Sequence, residues 1–571
     1  MVVATAALVI GAVPSVYAQP GDEPAAPAAS GELKNVAVVA GARYEKLISD
    51  ITFLGSLAGK PELGQMVEGG MNFFTQGKGA AALDKTQAWG VVVQTDGQQI
   101  MAVACLPVAK PNDLLEVAKG YGAEIKDGED GTKQLVLPSK KSIFVKQDGG
   151  MTFISMSEAA LKRLPADPQA LLNKMVGEYD LAANVAAQNV PKMYRDFAVQ
   201  AMKAGAQQGL KKKDGESDEQ FAERQKMTEA QLAQMDRMIN EIDTIKFGWA
   251  VDAQQQKTFL DLAYTFVPDS KMAKQMLAYK DPKTNFAGFY QPDAAATFSF
   301  AAQADPEMIA ENLAQLDATM KSSRDQLNAA IDKEDKISDP EAKEALKAAA
   351  ADFFDAVTAT VKSGQMDGGG SLSISPDSLT LVSGLHMSDT TKVESALKKL
   401  EAAAQKSPNF PGIKWNAAKH AGIAFHTITI PVPEKEKAPR QILGNELNVA
   451  VGIGTDAVYV AAGKDNIEAV KKAIDASAAN KGKSVPPFEF VLSLTPIMEV
   501  AASQASDGDK KEVAQKVADY LRSEAQGRDH IRAVGKMVPN GQSYHFEAEE
   551  GVLKAIGAAA TAAQELKTRG Q

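Results

Sequence analysis

Five histidines (His386, His420, His426, His530 and His545) and one cysteine, Cys105, are the chain's whole supply of imidazole and thiol. Zinc takes about four such ligands at short helical or knuckle spacing. No H-E-x-x-H and no close His pair occurs, so a thiolate cluster is excluded and an imidazole centre has little to draw on. His420 and His426 are six residues apart near a strand and could share a site only if folding joined them. His545 and Glu547 fall on one strand face, where a surface pair is the ordinary reading. Cys105 lies within the apolar run MAVACLPV, which suits a buried structural thiol better than a nucleophile. No G-x-S-x-G elbow is present.

Gly452-Ile453-Gly454-Thr455-Asp456-Ala457 fits G-x-G-x-x-A, but Val458-Tyr459-Val460 continues as a strand where a dinucleotide site needs a helix N-terminus. Those glycines serve a turn. Gly368-Gly369-Gly370 is followed by Ser371 instead of the Lys-Ser/Thr of a phosphate loop and reads as a flexible lead into a strand. Asp127-Gly128-Glu129-Asp130-Gly131 and Asp507-Gly508-Asp509 lack the distant Glu of a calcium loop and read as acidic turns. Trp89 and Trp249 each open a hairpin beside a glycine; they are packing anchors first and platforms for stacking a sugar or peptide second. No catalytic, cofactor-binding or metal residue is assigned, and no cofactor is expected.

The elements that would position any site follow from composition and period. At 571 residues the chain has room for several cores, and 45% hydrophobic with 23% charged residues is a globular composition. Lys+Arg 62 against Asp+Glu 72 leaves a net charge of −10, so nucleic acid is not an expected partner. Residues 2 to 13 form an apolar run too short for the roughly 20 helical residues of a membrane span, and Val16-Tyr17-Ala18 follows as a small-x-small cleavage pattern. Residues 1–18 therefore read as a signal peptide, although no Lys or Arg precedes Lys34, and 19–32 as a Pro/Ala-rich linker. With no cysteine directly at the new N-terminus after the cleavage site, no lipid anchor is expected, and no transmembrane segment is expected in the mature chain. The expected location is periplasmic or secreted.

A unit of strand, polar turn, strand and capped helix recurs. It appears at 89–119 and 371–403, at 143–164 and 448–474, and ends in hairpins at 247–267 and 531–548. Strand-to-helix junctions carry Pro191 with Met193 and Pro496 with Met498. This order predicts a first α+β repeat domain over 32–279, a joint at 280–288, a second over 289–565, and a polar tail at 566–571. Alternating strands such as Leu372 and Ile374 against Ser371, Ser373 and Ser375 predict one dry and one wet face. The expected fold is α+β, two tandem copies of a ββα-rich two-layer sandwich, mainly antiparallel, with helices on one face and protruding helical hairpins. One hairpin joins the stripe Ile309, Leu313, Leu316, Met320, Leu327 and Ile331 to a return helix carrying Leu346, Phe353, Val357 and Val361; Phe221, Leu232, Met235, Ile239 and Ile242 make a similar stripe in the first copy.

This layout of signal peptide, Pro/Ala linker and tandem ββα-rich copies resembles exported tandem-repeat proteins of planctomycete-type bacteria. The resemblance implies a compartment and no activity. The expected function is that of an exported, non-catalytic binding or envelope-associated protein taking a protein, glycan or apolar ligand. A hydrolase built from dispersed carboxylates, about 5 to 10 Å apart in one cleft, is the first alternative. A structural homo-oligomeric envelope component, marked by a large exposed apolar patch, is the second.

Overall fold

The computed structural model describes residues 32–569 except 76, 335, 336, 338, 406–411, 506, 507 and 526. The expected signal peptide, nearly all of the linker, the last two residues of the tail and Asp507 lie outside the described residues. No helix among the described residues is long and apolar enough to cross a membrane. Two compact units are present: Met1–Ala201 with Met238–Val267, and Met202–Arg237 with Pro268–Gln571.

Among its described residues unit 1 contains ten antiparallel strands: β1 (Lys34–Gly41), β2 (Trp89–Thr95), β3 (Ile100–Pro107), β4 (Glu124–Asp127), β5 (Lys133–Val136), β6 (Ser142–Asp148), β7 (Met151–Ser155), β8 (Leu181–Ala186), β9 (Ile242–Asp252) and β10 (Lys257–Phe266). Pairing places them in the order β4-β5-β6-β7-β3-β2-β1-β8-β9-β10. Helices α1 (Tyr44–Leu57) and α2 (Leu63–Phe74) come between β1 and β2, and α3 (Pro111–Gly120) follows β3. Next come α4 (Glu158–Lys162) and α5 (Pro168–Met175) after β7. Finally α6 (Lys192–Gly209) and α7 (Asp218–Glu241) lie between β8 and β9, and their far ends, 202–237, belong to unit 2. Local chemistry explains the boundaries. Asp96 Oδ1 accepts the amides of Gln98 and Gln99 in the β2–β3 turn, where Gly97 takes φ 95°, and Asp167 caps α5 ahead of Pro168.

Unit 2 opens with α8 (Lys271–Met276) and a two-residue strand β11 (Lys283–Thr284), followed by β12 (Ala296–Gln303), α9 (Pro306–Lys333) and α10 (Pro340–Ser363). Then come β13 (Gln365–Ser375), β14 (Ser378–His386), α11 (Thr390–Ala404), β15 (Ile413–His420), β16 (Ile423–Pro431), α12 (Lys437–Leu443), β17 (Glu446–Ile453), β18 (Ala457–Gly463) and α13 (Asn466–Ala479). β19 (Lys483–Ser484) pairs with β11. The chain ends with β20 (Phe488–Ser493), α14 (Leu494–Gln504), α15 (Gly508–Tyr520), β21 (His530–Val538), β22 (Gly541–Glu549) and α16 (Glu550–Arg569). The main sheet runs β15-β16-β17-β18-β14-β13-β12-β20-β21-β22, again antiparallel throughout. Read strand by strand, this is the order of unit 1. Paired helices occupy the same two insertion points with opposite emphasis. After the first strand they are 14 and 12 residues long in unit 1 but 28 and 24 in unit 2. Between β8 and β9 they are 18 and 24 residues long, with 202–237 counted in unit 2, but between β20 and β21 only 11 and 13.

The α+β class and the antiparallel sheets are as the sequence predicts; the single helical face is not. Every residue of β2 is buried. On one side Val92, Val103 and Cys105 pack with Leu161 of α4 and Leu172 of α5. On the other, Trp89 and Leu106 pack with Leu47 of α1 and Leu114 of α3. Unit 2 has the same layering, with Val382, Ala450 and Ala461 against Val470 and Ile474 of α13, and Val458 against Ala356 of α10 and Val393 of α11. Neighbouring residues of an extended chain point to opposite faces, so each sheet is clad on both sides at its centre. The cause is the continuous apolar run of the inner strands, a pattern that demands cover on both sides.

Two further expectations change. Gly368-Gly369-Gly370 is no loose lead but the buried middle of β13, where Phe298, Phe300 and Leu385 fill the space side chains would take. The stretch 280–288 is a folded part of unit 2. Thr284 Oγ1 donates to Asp367 (2.6 Å), Asn285 N donates to the same carboxylate (2.7 Å), and Phe286 and Phe289 enter the core.

Candidate functional site

The residues with the strongest intrinsic chemistry are dispersed and locally engaged. Cys105 is fully buried, and burial pushes its thiol up to about 12, far from a reactive thiolate. His420 pairs with Asp475 (2.7 Å), whereas His426 is buried under the Trp415 ring, 4.5 Å between centroids, and its Nδ1 accepts Asn416 N. Folding does not bring these two together. His530 Nδ1 lies 2.9 Å from Glu549, and His545 lies 3.6 Å from Glu547, the strand-face pair the spacing predicts. Gly452 to Ala457 is the β17–β18 turn, with Gly454 N donating to Ala457 O, so the dinucleotide reading ends there. No group of three or more metal-type side chains forms a metal site among the described residues.

Trp89 and Trp249 share one register row of the unit 1 sheet, Trp89–Gly41–Leu181–Trp249, but the Trp89 ring is buried over Gly41. It is an anchor and not a platform.

Two buried acids draw the attention that a catalytic carboxylate would. Asp50 of α1 and the fully buried Asp180 share the Lys46 ammonium, and Asp180 also accepts Val251 N (2.7 Å). Burial, with Asp180 adding to it and Lys46 opposing, pushes Asp50 up to about 6. Asp352 of α10 accepts Lys399 (2.5 Å), Ser395 (2.5 Å) and Lys392 (3.3 Å) from α11; although burial opposes it, those hydrogen bonds hold it down at about 2. Both acids tie elements together. Asp50 and Asp180 touch directly, unlike hydrolytic carboxylates that face each other across about 5 to 10 Å of cleft.

Among the described residues, a cavity of about 670 Å³ within unit 2 is large enough to receive a ligand. One wall is α8 and the turn after it: Lys271, Lys274, Gln275, Leu277 and Ala278. The other is the junction of β12 and α9: Gln303, Ala304, Asp305, Pro306 and Met308. Each wall is fixed from behind. Ser270 Oγ caps α8 by accepting Ala273 N (3.1 Å), while Met272, Ala273 and Ala278 are buried; Ala304 N donates to Gly364 O (2.7 Å), setting the angle from β12 into α9. Leu277 stands 60% exposed at the mouth. A depression of about 420 Å³ along α16 is lined by Thr561, Gln564, Glu565 and Thr568 from one helix face and is the more open of the two. Sequence reasoning missed the larger cavity because its walls come from two short, unremarkable stretches without a motif. The one signal available was the pairing of Lys271 with Lys274 beside an apolar Leu277-Ala278.

Elsewhere, Met66, Phe73 and Phe74 of α2 are exposed by 62, 80 and 66%, and Tyr121 donates to Phe74 O beside them (2.6 Å). Together they make an apolar outcrop on unit 1. No family model, no curated protein and no solved structure matches the chain.

Proposed function

We propose that the chain is an exported, non-catalytic binding protein whose ligand occupies the cavity between α8 and the β12–α9 junction. The observation that carries this reading is the cavity itself: about 670 Å³, within the 300–1,000 Å³ range of small-molecule sites, where Leu277, Ala278, Ala304, Pro306 and Met308 stand beside Lys271, Lys274, Gln275, Gln303 and Asp305. The thiol, the histidines and the buried acids described above are all spent on internal contacts, which leaves binding as the chemistry the surface supports. Export rests on the apolar run and the Val16-Tyr17-Ala18 pattern. The shared strand order of the two units supports reading them as copies of one ancestral module.

The test is fluorescence titration with the neutral apolar probe N-phenyl-1-naphthylamine. The wild-type chain should bind and brighten it, and Leu277→Asp at the exposed mouth should weaken binding by about tenfold, since burying a charge beside the probe is costly. An unchanged titration in that variant, or no binding by the wild type, removes this reading. A second reading, self-association as a structural component, is favoured by the α2 outcrop, because contiguous exposed apolar surface marks interaction sites.

A further inference from the structure

We infer that the ligand of this cavity is an amphiphile with a single anionic head, a carboxylate on an apolar chain, and that Lys274 is its counter-charge; this rests on the cavity being the binding site.

The walls divide by chemistry. Leu277, Ala278, Ala304, Pro306 and Met308 bring apolar side chains. The charge sits on α8, where Lys271 and Lys274 are three residues apart and therefore project from one helix face. Their situations differ. Lys271 and Asp305 already take part in other polar interactions, whereas Lys274 is exposed and has no ion-pair partner among the described residues. An unpaired ammonium beside an apolar wall selects against a neutral oil, which leaves the charge unmatched, and against a cation, which it repels. A carboxylate placed there gains a charge-assisted hydrogen bond, with the amides of Gln275 and Gln303 as further donors.

Other ligand classes fit less well. Glycan sites stack the sugar on an aromatic ring, and no Trp, Tyr or Phe lines this cavity. A polyanion would meet the field of a chain carrying −10 overall with one unpaired lysine in its favour, whereas a monoanion needs only that lysine.

Competition with bound N-phenyl-1-naphthylamine tests the assignment, using decanoate and decanol as occupants of equal chain length on the full chain. Decanoate should displace the probe at about a tenfold lower concentration than decanol. That advantage should vanish in Lys274→Gln and shrink when salt is raised from low to high ionic strength, with decanol unaffected. Because Lys274 is exposed, the variant should fold as the wild type does, which its circular dichroism would show. If decanol competes as well as decanoate, or if Lys274→Gln keeps the preference, the anionic ligand is wrong while the cavity remains a binding site. If the probe itself does not bind, the cavity reading fails and this inference with it.

Discussion

A carboxyl held near pH 6 inside a fold works against that fold once it ionises. Asp50 is such a group: its pKa is raised from the ordinary 3.8 to about 6, so the stability it contributes is complete below about pH 4 and is lost as the pH rises through 6. Above that point two carboxylates share one lysine, 38% exposed, beside a fully buried aspartate. Asn at position 50 keeps the size and the hydrogen bond of the protonated acid without the charge. Asp50→Asn should therefore raise stability at pH 8 by on the order of 1 kcal/mol and change little at pH 4.5, as read from urea midpoints across that range. A uniform loss at both pH values would mean that the ionised form is the one the structure prefers. Asp352 has the opposite sign, lowered to about 2 by Lys399, Ser395 and Lys392, and so supports the α10–α11 contact at every pH above about 4.

Among the elements, β13 and β14 show how closely a sheet can be approached when its residues are small. A Cβ at Gly384 would stand 2.6 Å from the Phe286 ring and 2.9 Å from Phe289, both buried, so the phenyl groups occupy space that a side chain would need. Gly384→Ala should cost about 1–3 kcal/mol through overpacking, measurable by thermal unfolding; a cost below about 0.5 kcal/mol would show that the rings move aside freely. Element identity was legible in the sequence to a large degree. The Asp-Gly turn at Asp96-Gly97, the cap at Asp389, which accepts Lys392 N, and the Pro340 start of α10 behind the Asp339 cap each specify local geometry from adjacent residues. Face and layer were not so legible. Alternation in β13 predicts one wet side, yet WGVVVQT in β2 is a continuous buried strand, and the inner strands set the layering. The Gly368-Gly369-Gly370 run misleads for a related reason: its flexibility as a peptide is cancelled by rings that arrive from Phe298 and Phe300, about 70 residues earlier in the chain.

For the whole molecule, the contrast is between frameworks that agree and surfaces that do not. Both sheets follow one strand order, while α2 in unit 1 ends in the exposed Phe73-Phe74 pair and unit 2 carries the cavity. Sequence periodicity could find strands and hairpins because they are written in local patterns. It could not find the cavity, whose walls at 271–278 and 303–308 meet only after β12 has been laid into the sheet. The α2 outcrop carries its own prediction: sedimentation velocity of the wild-type chain should show a sedimentation coefficient that rises with concentration, and Phe73→Ser with Phe74→Ser should abolish that rise. Since both rings are exposed, the double variant should unfold within about 0.5 kcal/mol of the wild type. A wild type that sediments identically at all concentrations would exclude self-association through this face.

The reversed lengths of the paired helices have a practical corollary. The helical pair is the longer one after the first strand of the unit 2 order and after the eighth strand of the unit 1 order, while both sheets keep the same ten-strand order. Those two sites are natural ports in the scaffold, and in each unit the shorter hairpin marks a place where foreign sequence could be grafted while the framework beneath it keeps its shape.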